Sequence, residues 1–329
     1  MSAPKKIGIT MGDPSGVGPE VICKAVNDLD AVQRENLVVI GNIGYLRKAC
    51  QLLNLEIEFG SAFSDLGENV VAVVDVETTD SDMIEAGKMS AAGGQAAYCY
   101  VVEAVKLINA GKIDALVTAP LNKGAMHLAG HEYDGHTGLL AHLTKAPQSF
   151  MLLTSDKLST VHVTTHVSMR DATELCSKQR VFDTIEIGHQ HLLEMGIKNP
   201  RIAVAGLNPH CGEGGIFGRE EIENIAPAVE QAMAKGINVS GPIPGDTVFY
   251  RAVRNEFDLV ISQYHDQGHA PAKLLAFDTT VNVSLGLPIK RTSVDHGTAY
   301  DIAWTGKVDH QNMHCAIAYA QRWVAVDQN

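Results

Sequence analysis

Three histidines stand at matching points of three separate apolar runs: VTTH ends at His166, AGLNPH at His210 and SQYH at His265. Each falls at, or one turn past, the end of a predicted strand. Imidazole suits Zn, Fe, Ni or Cu, and carboxylates add affinity for harder ions. In open α/β sheets, ligands gather outside the carboxyl ends of the strands. Three imidazoles delivered to one sheet edge therefore predict a divalent-metal site. Asp246, in GPIPGDTVF, is the candidate fourth ligand or a polar partner. The competing reading is bland. Fourteen histidines are present, most histidines make one hydrogen bond and nothing more, and the long spacing forms no compact metal motif. Cys211 follows His210, but neighbours on an extended chain point apart, so it is read as a small residue beside a functional one. His162 either shares a sheet face with His166 or is buried within its strand.

Two glycine-rich turns offer a second chemistry. GITMGDPSGVGPE (8–20) is a strand, a turn and then Pro19 at a first helical position; HCGEGGIFGREE (210–221) is another turn that opens a helix. Such turns let backbone approach a ligand, and a helix N-terminus favours anions. Neither is a G-x-G-x-x-G fingerprint. Near predicted strand ends lie Lys273 in APAKLL, Arg291 in PIKRTSVDHGT, Asn282, and His136-Thr137 before a helix. A lysine and an arginine grip phosphate in complementary ways, one as a point charge and one as a fork. Lys290 is read as a surface cation; Lys123 is ambiguous.

These residues need a frame. Short β-branched runs alternate with helical patterns. Strands are predicted at 6–10, 37–41, 70–76, 115–119, 150–154, 159–165, 201–207, 258–264 and 281–287. Helices are predicted at 91–110, 180–195, 219–235 and 312–326. Several strands are apolar on both faces, as strands covered on both sides must be. The alternation predicts an α/β fold with a mostly parallel sheet flanked by helices. A chain of 329 residues, 45% hydrophobic and 19% charged, has room for one large or two medium domains. The formal net charge of -12, without blocks of like charge, argues against nucleic acid or an anionic membrane as partner, though not against a small anionic substrate. Six scattered cysteines without a C-x-x-C pair, no secretory h-region in MSAPKKIGITMGD and no apolar run near ~20 residues point to a soluble cytoplasmic protein.

In order along nearly the whole chain run GDPSGVGPE, DGHTG, VHVTTHVSMRD, GLNPHCGEGG, PGDTVF, YHDQGH, VNVSLGLP and RTSVDHGTAYDIAWTGK. Together they resemble the 4-hydroxythreonine-4-phosphate dehydrogenase family of vitamin B6 synthesis. More distantly, GDPSGVGPE and HGTAYDIA resemble the isocitrate and isopropylmalate dehydrogenases, whose fold binds NAD without a Rossmann fingerprint. The resemblance implies a two-domain subunit of that fold with its active site in the interdomain cleft. Domains of 1–130 plus 280–329 and of 131–279 are expected. It also implies a homodimer with metal sites at the subunit interface, metal ligands His166, His210 and His265, and Asp246 completing the polar site. Substrate contacts would be His136, Thr137, Lys273, Asn282 and Arg291. Asp295, His296, Gly297, Thr298, Ala299 and Asp301 would lie along the dinucleotide. Two positions depart from the vitamin B6 enzyme, which commonly has Glu where Gly138 stands and Leu where His269 stands. YHDQGH and DHGTAYDIAWTGK look closer to a branch that oxidises D-threonate or D-erythronate 4-phosphate; other relatives act on unphosphorylated dihydrodiols.

The expected chemistry is metal-assisted oxidation at C3 of a 4-phosphorylated four-carbon hydroxy acid, with NAD or NADP as hydride acceptor and loss of CO2. Zn, Mg, Mn and Co all suit the donors, and the general base is unassigned. Within ISQYHDQGHAPAKLL (261–275) one loop, turning at Gly268, would hold the metal through His265 and the phosphate through Lys273, with Asp266 and Gln267 shaping the turn or supporting the ligand. Two other classes compete: a non-redox metalloenzyme using the same histidines, without dinucleotide dependence, and a binding protein without turnover.

Overall fold

The computed structural model describes residues 5–63, 70–78 and 83–326. The strands are β1 (Ile7–Thr10), β2 (Leu37–Gly41), β3 (Glu58–Ser61), β4 (Val70–Asp75), β5 (Ala115–Thr118) and β6 (Phe150–Thr154). They continue with β7 (Ser159–His162), β8 (Ile202–Ala205), β9 (Val239–Ile243), β10 (Leu259–Ser262), β11 (Val281–Leu285) and β12 (Lys290–Ser293). The chain forms two compact units, Met1–Ser149 with Leu287–Asn329, and Phe150–Gly286. The crossings thus fall at 149/150 and 286/287 rather than after 130 and 279. Helix Gly135–Thr144 packs on helix Ala91–Asn109 and stays with the first unit. Antiparallel pairing of β11 with β6 keeps 281–285 in the second.

In the first unit the strand order is β3-β4-β2-β1-β5-β12, with every pair parallel. β1, β2 and β5 are buried at every position, which explains runs such as LVVIG without alternation. β1 has β2 on one side and β5 on the other, so its carboxyl end is a topological switch point, where ligands bind in such sheets. The turn GDPSGVG occupies that end and leads into helix Gly18–Asn27, with Pro19 in its first turn. Gly12 is required here: its φ is +70°, and a Cβ would collide with the carbonyl oxygen of Pro120.

The second unit has the order β11-β6-β7-β10-β8-β9. β6 is antiparallel to both neighbours, whereas β7, β10, β8 and β9 are parallel. Their carboxyl ends deliver, in spatial order, His166, His265, His210 and Asp246. A core of Leu153, Leu158, Ala203, Val260 and Ala272 supports this edge, with Phe249 and Leu275 packed on it.

Sequence pattern missed three strands. β3 is a partly exposed EFGS, β9 contains Gly-Pro, and β12 is a polar KRTS. Helix 219–235 was expected as one piece; a wide turn over Glu221–Ile225 precedes a helix Ala226–Ala234, because Pro227 has no N–H for the α ladder. Residues 265–276 form a helix, not a loop turning at Gly268; Gly268 and Pro271 disguise it. Gly268 is there for space, since a Cβ would collide with His162 Nε2 and lie 2.7 Å from Ser262 Oγ. Among the described residues no helix is long and apolar enough to cross a membrane.

Candidate active site

In the second unit, His166 and His265 face one another with ring centroids 5.7 Å apart. Two imidazoles sharing one cation at ~2.0 Å and a tetrahedral angle have centroids about 5 Å apart, so the pair suits a shared ion. They line a cavity of about 450 Å³ with Thr165, Tyr264 and Asp266. His265 Nδ1 lies 2.7 Å from Asp266 Oδ1. A carboxylate on Nδ1 fixes that nitrogen as the N–H donor and leaves Nε2 as the donor atom for a metal.

His210 and Asp246 line a different cavity of the same unit, about 590 Å³, with Asn208, Tyr264 and Gln267. Among the described residues, no three His, Cys, Asp or Glu side chains of one chain converge as metal donors. The expectation of three imidazoles meeting at one point is thus not met within a single chain. After β8 the backbone enters a left-handed run from His210 to Gly214, with φ of 51°, 53°, 76°, 45° and 66°. Each non-glycine in that region costs on the order of 1–3 kcal/mol. Glu221 holds the turn in place: Oε1 accepts the Leu207 and Asn208 amides, each at 2.7 Å, and Oε2 accepts Asn208 Nδ2 at 2.9 Å. Two glutamines tie the turn to β10, as Gln263 Nε2 donates to the Ala205 carbonyl and Gln267 Nε2 to that of Gly206, both at 2.7 Å. Cys211 is half-buried, and burial pushes its thiol up to about 11, so it is no nucleophile at neutral pH.

Of the expected substrate residues, Lys273 is half-buried on helix His265–Ala276, with Nζ 5.7 Å from the Phe277 ring. Asn282 lies on β11, with its Oδ1 shielded and unpartnered. In the first unit, Arg291 is 3% exposed on β12, and its Nη2 donates to Thr118 Oγ1 at 2.6 Å. Burial pulls this guanidinium down to about 9. His136 and Thr137 lie in the first turn of helix Gly135–Thr144 rather than before it. The His136 residue keeps some surface, yet its Nε2 is shielded and unpartnered. Burial, with the nearby Arg291 charge, holds its pKa well below the ordinary range, so the ring is neutral. Lys123 pairs with Asp134, and Lys290 donates to the Trp323 carbonyl, so both cations have structural partners.

The expected dinucleotide segment docks on the glycine-rich turn of the same unit. Val17 N donates to the Thr298 carbonyl at 3.0 Å, and a Cβ at Gly16 would press on Thr298. Tyr300 Oη donates to Asp13 Oδ2 at 2.6 Å, while Asp13 Oδ1 accepts Ser15 N and Oγ. Fully buried Glu20 accepts the amides of Trp304 and Gly306. Ala299 has φ +43°, Asp295 N donates to Asn312 Oδ1, and His296 has a shielded Nε2. Gly297 has open space where a Cβ would stand, and Asp301 is exposed. Asp13, Glu20, Glu221 and Gln263 were not foreseen. Their signal was available only as acidic or amide residues inside motifs otherwise read for their glycines and histidines.

The comparisons agree with this architecture. A family model described as "Pyridoxal phosphate biosynthetic protein PdxA" matches residues 33–320. D-threonate 4-phosphate dehydrogenase of Salmonella typhimurium is 45% identical over 97% of this chain and 98% of its own. 4-Hydroxythreonine-4-phosphate dehydrogenase of Desulforapulum autotrophicum is 43% identical over 95% and 94%. The crystal structure of 4-hydroxythreonine-4-phosphate dehydrogenase from Klebsiella pneumoniae superposes with a TM-score of 0.87 at 42% identity, covering 97% of this chain and 99% of that one. Fold and relatives together define an α/β oxidoreductase of the dehydrogenase class. The chain belongs to the PdxA family.

Proposed function

We propose that the protein oxidises the C3 hydroxyl of a 4-phosphorylated four-carbon hydroxy acid with NAD or NADP, and that the resulting β-keto acid loses CO2. D-Threonate 4-phosphate, D-erythronate 4-phosphate and 4-hydroxy-L-threonine 4-phosphate are the substrates to compare. The observation that carries this reading is the His166–His265 pair, with His265 Nδ1 occupied by Asp266. These two rings fit a divalent ion such as Zn, Mg, Mn or Co, and His210 with Asp246 would complete its donors from the second copy of a homodimer. When bound, the ion supplies Lewis-acid polarisation of the substrate hydroxyl. Bound NAD(P) supplies the hydride acceptor.

The chain's own residues bind and orient. Arg291 and Lys273 are the proposed phosphate grips, and fixing the phosphate decides which carbon reacts. Neutral His136 offers its shielded Nε2 to a substrate oxygen, and Asn282 offers Oδ1 to a substrate donor. The Asp295–Asp301 segment and the glycine-rich turn are the proposed dinucleotide site. The test is NADH formation by purified protein with a divalent ion, offering the three phosphates side by side with NAD and NADP. Turnover of one phosphorylated acid with metal, lost on chelation, supports the reading. Turnover without metal, or of an unphosphorylated diol alone, sinks it.

A further inference from the structure

Two buried histidines outside the expected ligand set carry an inference about His265. The ring of His269 lies parallel to that of His265, with centroids 3.6 Å apart and planes at 12°. The two residues are one helical turn apart. His269 Nδ1 is 3.1 Å from His162 Nε2 and 3.1 Å from the His265 carbonyl. His162 Nδ1 is 3.1 Å from the Met151 carbonyl. A carbonyl can only accept, so His162 carries its proton on Nδ1 and accepts on Nε2. His269 must then donate from Nδ1, shared between His162 and the helix carbonyl. Both side chains are buried, at 1% and 7% exposure. Space is tight below them, where Thr160 and Ser262 hydrogen-bond at 2.6 Å and Gly268 leaves no room for a Cβ.

His265 itself begins its helix with a side chain 36% exposed, and its carboxylate partner Asp266 is 85% exposed and adjacent in sequence. That is a loose hold on a ring plane. We propose that His269, anchored by His162, is a positioning residue that fixes the plane of His265 and so sets the metal affinity of that ring. This rests on the metal reading above. A ring bound to a dication is electron-poor and favours a neutral π face against it. Contacts that orient a ligating histidine are commonly worth about 10- to 100-fold in metal affinity.

The test is cobalt(II) binding to chelator-stripped full-length protein, followed by its d–d absorption and by competition with a chromophoric chelator. His269→Leu is expected to weaken binding about tenfold or more and to change the cobalt spectrum, with melting of the metal-free protein showing that it folds. His162→Gln, which leaves the stack and alters its anchor, is expected to fall between that variant and wild type. His269→Phe, which keeps an aromatic face without the anchoring N–H, is expected there too. Wild-type affinity and spectrum in His269→Leu overturn the inference. Should that variant fail to fold, unchanged cobalt binding and spectrum in His269→Phe overturn it equally. Wild-type protein that binds no cobalt overturns the metal reading, and this inference with it.

Discussion

The buried His162 makes the second unit sensitive to acid. Burial is the first cause that lowers its pKa from 6.5 to about 4; the His265 and His166 charges add to it, and the Met151 carbonyl opposes it. In the unfolded chain the same ring titrates near 6.5. Between those values the unfolded state binds the proton and the folded state does not, so stability is full above 6.5 and falls as pH drops toward 4. At about 1.36 kcal/mol per pH unit, the interval corresponds to on the order of 3 kcal/mol, of which about 2 are gone at pH 5. That is a large part of the ~5–15 kcal/mol that holds a domain together. The assay is urea unfolding of metal-free protein at a series of pH values from 7 to 4.5. His162→Gln keeps an amide N–H for Met151 but cannot titrate. Its stability is expected to fall less steeply, by about 1.2 kcal/mol per pH unit between pH 6 and 4.5. His269 shifts in the same direction and retains its own slope in the variant. Equal slopes for the two proteins would refute the claim that His162 is buried as the neutral tautomer.

Three further outcomes are expected. Gly268→Ala forces a Cβ onto His162 and Ser262, so thermal melting should show a loss of roughly 1–3 kcal/mol; an unchanged melt would contradict the packing described. Glu221→Ala leaves the Leu207 and Asn208 amides without their acceptor, a loss of about 1–3 kcal/mol, and should weaken the metal binding proposed for His210; calorimetry of cobalt binding checks the second effect. Arg291 is 3% exposed and is the proposed phosphate fork. Arg291→Ala should raise KM for a phosphorylated substrate about tenfold or more while KM for NAD(P) stays put; equal KM values in variant and wild type would contradict that role.

Much of this was legible in the residues. Both-face apolar runs such as LVVIG and ALVT announce strands covered on two sides, and they are parallel strands in the structure. The three histidines follow strand ends because a strand's carboxyl end is where a polar residue reaches solvent without breaking the core. The polar strand β12 was hidden, since Arg291, Thr292 and Ser293 are buried by tertiary partners that sequence pattern does not carry. The helix after Tyr264 was hidden for the opposite reason: Gly268 and Pro271 look like turn residues, yet one gives way to His162 and the other is absorbed within the helix. The separation of His210 from His166 and His265 was also out of reach. His210 opens a run of five left-handed residues, of which only two are glycine, and no local pattern announces such a run. His269 stands out in the sequence only as a departure from the Leu of the vitamin B6 enzyme; its burial and its stack against His265 are visible only in the structure.

The grip of Glu20 on Trp304 and Gly306, with Tyr300 on Asp13 and Lys24 on the carbonyls of Gly306 and Val308, joins segments from opposite ends of the chain. Residues 12–24 and 295–308 therefore form one heritable module, although some 280 residues separate Glu20 from its partners. Under the dinucleotide reading proposed above, transplanting the later segment alone from a relative would carry over half a mould. On that reading, a chimera meant to keep its coenzyme affinity should take both segments from the same parent.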